Sequence, residues 1–321
     1  MEQAVSQFSS RKKRTLTTHL RCKMITAMLT FSMAAFCGDT LHVTFTGDLL
    51  LDRGVRKKIA EQGIDALFSP SVDSMLKRSD IVVANLECPT THINATVQKQ
   101  IMFRADPECL PHLRQHSITH LTLANNHSVD QGRRGLADTW QNIRDAGMTP
   151  VGAGRNMEEA ARPELLATTP RNVWLLTSLR LSIENFPYLP DTICVSQEPF
   201  PELLAKVERL RRSDPHCYIA VALHWGGENT FKPLLQQVAD AHRLVEAGAD
   251  IIIGHHPHTL QKVETYRGKV IYYSIGNFIF DAQRPFHDKA YAVTVAITAQ
   301  GAEVATVPLV ITDSTPAIRL P

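Results

Sequence analysis

The chain has 321 residues, 44% hydrophobic and 21% charged, with 16 glycines and 18 prolines. That composition excludes collagen-like, low-complexity and intrinsically disordered classes. The formal net charge is +2 from 34 basic and 32 acidic residues, but residues 1–40 hold six of the basic ones (Arg11, Lys12, Lys13, Arg14, Arg21, Lys23) and only two acids. The remainder is slightly acidic and lacks the basic footprint that nucleic acid demands, so no nucleic-acid partner is expected.

Residues 1–40 read as a leader: a basic stretch, the apolar run Met24 to Phe36, then Cys37-Gly38-Asp39. A run of thirteen residues suits a secretory segment better than a membrane span, which needs about 20 apolar residues. Export to the periplasm or exterior with cleavage is the expectation, and a permanent anchor through residues 16–36 is the alternative. Ser32-Met33-Ala34 offers small residues for cleavage, whereas Phe36 before Cys37 fits a lipid-modified cysteine poorly. Beyond the leader, Cys88, Cys109, Cys194 and Cys217 form no Cys-x-x-Cys pair and read as small buried residues, with a Cys194 to Cys217 bridge left open.

From residue 41 the chain alternates β-type runs with helical patterns and reads as one domain, 41–321. The predicted strands are Leu41 to Thr46, Ile81 to Ala84, Ile118 to Leu123, Val173 to Thr177, Tyr218 to Leu223, Ile251 to Ile253 and Val270 to Ser274. One helix is predicted from Gly132 to Ala146 with Gly147 after it. Another follows the stripe Phe231, Leu234, Leu235, Val238, Leu244, Val245 and closes at Gly248. Leu181 to Pro201, with four prolines, reads as a long loop. Tyr291 to Ile297 and Val304 to Ile311 read as an added antiparallel pair or a second sheet. Alternation of this kind predicts layered α/β packing.

Residues able to bind metal recur where these apolar runs end. Leu41 to Thr46 leads to Asp48, Ile81 to Ala84 to Asn85-Leu86-Glu87, and Ile118 to Ala124 to Asn125-Asn126-His127. Tyr218 to Leu223 leads to His224, and Ile251 to Ile253 to Gly254-His255-His256-Pro257-His258. In open α/β sheets the crevice outside the carboxyl ends of the strands is where ligands sit. Imidazole with carboxylate and amide oxygen suits Mn²⁺, Fe²⁺ or Zn²⁺, one or two ions, more than calcium. His256 and His258, alternating along an extended segment stiffened by Pro257, are expected to point the same way. Each residue has an ordinary explanation alone: Asp48 as a helix cap, the asparagines as turn formers, His224 as a satisfied turn histidine. Five coincidences at strand ends are harder to explain that way. Competing motifs fail, since there is no Gly-x-Ser-x-Gly elbow, Walker loop or His-Glu-x-x-His, and Gly152-x-Gly154 reaches Met157 where a third glycine is needed.

With these residues in view, most of residues 41 to 285 resembles the poly-gamma-glutamate capsule-biosynthesis (CapA-like) family, related to the calcineurin-like metallophosphatases. The resemblance rests on Gly47-Asp48 with Arg53, Asn85-Leu86-Glu87, Ala124-Asn125-Asn126-His127 with Asp130 and Gly132, and His224-Trp225-Gly226. It extends to Gly254-His255-His256-Pro257-His258 with Gln261, and Ser274-Ile275-Gly276-Asn277-Phe278-Ile279-Phe280-Asp281. It implies a four-layer αββα sandwich of two sheets flanked by helices. It also implies a metal site of Asp48, Glu87 (bridging), Asn126, His224, His256 and His258, with His127 protonating a leaving group. Arg53 is a candidate for binding an anionic substrate, with a helix-surface arginine as the alternative. The chain departs from phosphatases in having Leu50 where Asp-x-His is usual and Asn85-Leu86-Glu87 where Gly-Asp is usual.

The implied function is a metal-dependent hydrolase, attacking a phosphoester with a metal-activated water, in capsule or poly-gamma-glutamate biosynthesis. Its partners would be an anionic envelope polymer or phosphoester substrate and capsule-synthesis membrane proteins. The alternatives are a non-catalytic envelope component that uses the same cleft to hold the polymer or a partner subunit, and amide or peptide hydrolysis by the same centre.

Overall fold

The computed structural model describes residues 39–319 apart from 96 and 282, so the leader up to residue 38, with its basic stretch and apolar run, lies outside the described residues. All of them belong to one compact unit, Gly38–Pro321. No helix among the described residues is long and apolar enough to cross a membrane.

The apolar runs fold as strands buried on both faces, the pattern expected of parallel sheets covered on both sides. Ile81–Leu86, Tyr218–His224 and Ile251–His255 are buried at every position. The first sheet runs in the order Thr315–Ile318, Ala302–Thr312, Lys289–Ile297, Leu41–Leu49, Ile81–Leu86, His120–Thr122, Thr149–Val151, and Asn277–Ile279 pairs parallel with the end of Leu41–Leu49. The second runs Val263–Tyr266, Lys269–Tyr272, Ile251–His255, Tyr218–His224, Val173–Leu179, Glu164–Ala167.

Because side chains alternate along a strand, each sheet buries two faces separately. Val43, Phe45, Ile81 and Val83 of the first sheet meet Leu175, Ala220, Ala222, Ile251 and Ile253 of the second in one core. The interleaved residues face outward: Val82, Ala84 and Leu86 pack with Val55, Leu76, Leu136 and Ile143 of the helices on one side. Ile219, Val221 and Ile252 pack with Leu203, Val207, Ala241 and Leu244 on the other. The result is the expected four-layer αββα sandwich. Each fully buried aliphatic side chain contributes about 1.5–3 kcal/mol relative to exposure.

Two sequence expectations need correction. The helix predicted from Phe231 begins at Leu235. Pro233 and the N-cap Leu234 precede it, its buried face is Gln237, Ala241, Leu244 and Val245, and Phe231, Leu234 and Leu235 are exposed. Residues 181–201 are not all loop: they contain the short strand Cys194–Val195, and Phe200 starts a helix that runs to Ser213. The C-terminal antiparallel pair Lys289–Ile297 and Ala302–Thr312 is added to the first sheet beside Leu41–Leu49, the first of its two expected arrangements. Cys194 and Cys217 are separate buried thiols.

Glycines let the two sheets' carboxyl edges close tightly. A Cβ at Gly47 would lie 2.1 Å from the Gly276 carbonyl oxygen, and one at Gly254 would lie 2.0 Å from that of Tyr273. Backbone cannot yield as a flexible side chain can. Gly254→Ala is expected to destabilise the protein by about 2 kcal/mol or more, read as a fall of several degrees in the thermal unfolding midpoint. An unchanged midpoint would contradict the packing described.

Candidate metal centre

Parallel strands from both sheets end at one place. Asp48 and Glu87 come from the first sheet, at the end of Leu41–Leu49 and just past Ile81–Leu86. Asn126 and His127 follow His120–Thr122. His224 and His255 are the last residues of neighbouring strands in the second sheet and stand in register. Asp48 is in register with Asn85 on one side and Asn277 on the other, with pairing irregularities at this point on both sides. Such irregularities re-aim side chains at strand ends, and here the Asp48 carboxylate reaches across to the second sheet.

The Asp48 carboxylate is fully buried and densely bonded. Its Oδ1 accepts from Asn85 Nδ2 at 2.8 Å and lies 3.1 Å from His255 Nδ1. Its Oδ2 accepts from the His256 backbone N–H at 3.3 Å and lies 3.3 Å from His258 Nδ1, which is also 2.9 Å from Asn277 Oδ1. Glu87 is the opposite case: its side chain is also fully buried, yet neither Oε1 nor Oε2 has a hydrogen-bond partner. Around it stand His224 Nε2 at 3.6 Å and His258 Nε2 at 3.7 Å, too far to bond. His224 Nε2 is 2.8 Å from Asn126 Oδ1.

Ligand-type atoms of Glu87, His224 and His256 lie within 4.8 Å of one another, as do those of Asp48, Glu87 and His258, and Glu87 belongs to both groups. A buried carboxylate without donors is costly unless a cation compensates it, so this donor set fits a divalent ion or a pair of them bridged by Glu87.

The protonation states follow from burial and neighbours. Burial pushes the Glu87 carboxyl well above its ordinary range, and the Asp48 charge adds to this. Burial also opposes ionisation of Asp48, but the bonds and charges of His255 and His258 prevail and hold it well below that range. Burial lowers His224 well below the ordinary imidazole value and His256 to about 3, leaving both neutral. His258 is also buried, yet the Glu87 and Asp48 charges raise it to about 9. Its proton is the positive charge a bound ion would replace, since metal binding displaces protons from its ligands.

The structure brings together all six metal candidates, Asp48, Glu87, Asn126, His224, His256 and His258. The expectation that His256 and His258 lie along an extended segment is corrected. Both have positive φ, 96° and 56°, so the chain curls around Pro257. Their rings separate accordingly, that of His256 lying 4.8 Å from His224 and that of His258 reaching Asp48.

His127 stands beside the cluster, its Nδ1 2.8 Å from Asp130 Oδ2 and its ring 4.3 Å from Phe103. Burial lowers its pKa, against the raising effect of Asp130. Arg53 lies farther out. Its Nη2 donates to Asp281 Oδ1 at 2.5 Å, and its guanidinium lies between the rings of Phe103 and Phe280, 4.9 Å and 5.3 Å from their centroids. Phe280 in turn packs on His258, 4.7 Å between centroids.

Sequence reasoning assigned no role to Asn85, His255 and Asn277, which bond the candidate ligands. Their signal was their place at the same strand ends.

Comparison with known proteins places this geometry. The family described as "Bacterial capsule synthesis protein PGA_cap" matches residues 42–282. The chain belongs to this family. It is 31% identical over 254 residues to the PGA biosynthesis protein CapA of Bacillus subtilis (strain 168), covering 77% of this chain and 65% of that protein. It is 33% identical over 258 residues to the capsule biosynthesis protein CapA of Bacillus anthracis, covering 76% and 60%. The chain thus spans less than two thirds of the length of either relative. Among solved structures it is similar to the Thermus thermophilus sulfate thiohydrolase SoxB in complex with glycerol, with a TM-score of 0.45 and 11% identity over 78% of this chain and 45% of that one. In this PGA_cap member the matched residues include all six metal candidates with His127 and Arg53, while the antiparallel strands from Lys289 onward lie beyond them.

Glu87→Gln replaces the unpartnered acid by a neutral isostere. Manganese or zinc at a hundred times its dissociation constant should stabilise the wild type by about 2.7 kcal/mol, whereas the variant should lose most of that shift. In excess chelator the variant should be at least as stable as the wild type. Thermal unfolding with and without metal reads both, and an undiminished metal shift in Glu87→Gln would remove Glu87 from the ligand set.

Proposed function

We propose that the chain is a metal-dependent phosphoester hydrolase acting in capsule or poly-gamma-glutamate biosynthesis. The observation that carries this reading is the Glu87 carboxylate, buried without a donor and shared by two groups of ligand-type atoms. In this reading Asp48, Glu87, Asn126, His224, His256 and His258 hold one or two ions of Mn, Fe or Zn. When bound, such an ion supplies Lewis acidity and a nucleophile at neutral pH.

The protein's own residues do the rest. Asn85, His255 and Asn277 fix Asp48 and His258 by hydrogen bonds, so the donors are oriented before substrate arrives. His127 donates its Nδ1 proton to Asp130, which leaves Nε2 free; to act as the acid, Nε2 first takes up a proton, the imidazolium charge being compensated by Asp130, and then gives it to the leaving oxygen. Arg53, steadied between Phe103 and Phe280 at the rim, orients an anionic substrate through guanidinium donors not used by Asp281.

The family and the relatives' names support a place in capsule synthesis, with an anionic envelope polymer as substrate or neighbour and capsule-synthesis membrane proteins as partners. The basic leader and its apolar run support export, with residues 16–36 as anchor or signal.

One observation favours the second reading, a non-catalytic component that holds the polymer or a partner. Leu50, at the place where phosphatases have the histidine of Asp-x-His, is fully buried in the core and offers no ligand. Hydrolysis of an aryl phosphate separates the two readings. Metal-dependent turnover in the wild type, reduced about a thousandfold or more by His258→Ala, is expected for the enzyme. Bound metal with no turnover on any ester would favour the holding role.

Arg53→Gln should raise KM for an aryl phosphate about tenfold while changing kcat little, because the guanidinium binds ground and transition states alike. A fall in kcat at unchanged KM would place Arg53 in the chemistry instead.

A further inference from the structure

The segment between Ile81–Leu86 and the helix Leu110–Gln115 has no helical or strand period, yet it is tied down at both ends. Thr91 N–H donates to the Ala105 carbonyl at 2.9 Å, and Ala105 N–H to that of Pro89 at 2.7 Å. Within it, the Lys99 side chain is only 4% exposed, although an ammonium is among the costliest groups to bury. Its Nζ donates to the backbone carbonyl of Asn126 at 2.9 Å and forms an ion pair with Asp130 Oδ1. The other Asp130 oxygen, Oδ2, accepts from the Phe103 backbone N–H at 2.8 Å and meets His127 Nδ1 at 2.8 Å.

This places four anchors on one short turn. Lys99 and the Phe103 N–H hold Asp130, Asp130 holds one edge of the His127 ring, and the Phe103 ring packs against its face. A lone Asp130 could swing its carboxylate away from His127. With Oδ1 committed to a buried ammonium, the only oxygen left for His127 is fixed in place. The same ammonium, through the Asn126 carbonyl, ties the turn that carries Asn126 and His127 to the segment above it.

We infer that Lys99 is a positioning residue that fixes the ring orientation of His127 by clamping Asp130 and the Asn126 carbonyl. This inference rests on the reading of His127 as the proton donor to a leaving group. It makes residues 99–103, and not only the strand ends, part of the machinery.

The test uses the full chain, its Lys99→Met and Lys99→Arg variants, and a readout independent of turnover. In ¹⁵N-histidine-labelled protein, with His127 assigned through His127→Gln, the wild type should show a downfield Nδ1 proton held by Asp130. Lys99→Met should lose or strongly shift that resonance, and Lys99→Arg should largely keep it. In turnover, a misplaced proton donor matters most for a poor leaving group. Lys99→Met should therefore slow phenyl phosphate hydrolysis about a hundredfold but dinitrophenyl phosphate less than about tenfold, with KM little changed and Lys99→Arg partly restoring the rate.

If Lys99→Met does not fold, Lys99→Ala, which removes both contacts without adding bulk, carries the same expectations. An unaltered His127 Nδ1 proton in a folded neutral variant would overturn the inference, as would equal slowing of both esters. If the wild type hydrolyses neither ester, the phosphoester reading fails alone and the resonance still decides the role of Lys99.

Discussion

A carboxylate in a dry interior must find hydrogen-bond donors, a cation or a proton, and Glu87 has no hydrogen-bond donor of its own. Much of the rest of the structure is arranged around that constraint. Glu87 and Asp48 enter from the first sheet, His224 and His256 from the second, and the carboxyl edges of both sheets must converge for these groups to meet. The sandwich supplies this convergence through its shared core: the faces of both sheets that pack together set how closely their ends approach.

At these edges two backbone positions without a side chain let neighbouring segments pack tightly. Gly47 immediately precedes Asp48, and Gly254 immediately precedes His255. At each, a Cβ would collide with a carbonyl of the adjoining chain. The glycines are therefore part of the centre without donating an atom to it. They let Asp48 sit beside Asn277 and let His255 come within hydrogen-bond distance of Asp48. Candidate metal ligands and strand packing meet in the same few residues, so changes there act on stability and on the placement of the candidate ligands together.

The legible part of this protein was the part with a period. Apolar strands alternating with helices read directly as layered α/β structure, and ligand-type residues at successive strand ends pointed to one edge because parallel strands share an end. The illegible parts had local causes. The helix after Phe231 is shorter than the apolar pattern suggests because Phe231 and Leu234 continue its apolar spacing while lying exposed ahead of it. The His256-Pro257-His258 turn was read as extended because positive φ at two histidines leaves no trace in residue type. Lys99 was invisible because its partners, Asp130 and the Asn126 carbonyl, are set by tertiary folding of an irregular segment.

The two acids of the centre have different dependence on a cation. Asp48 accepts from Asn85 and the His256 N–H and is flanked by His255 and His258, so its charge is compensated by the scaffold itself. Glu87 lacks such donors, and its nearest positive group is the proton of His258. A divalent ion held by these residues would therefore take the place of that proton more than of any bond of Asp48. Asp48 is then the fixed wall of the site, already ordered by hydrogen bonds, and Glu87 the group whose ionisation depends on occupancy. Leu50, two residues after Asp48, is buried in the core and offers Asp48 no bond, so the contact to Asp48 Oδ1 from the far side comes from His255, reaching across from the second sheet.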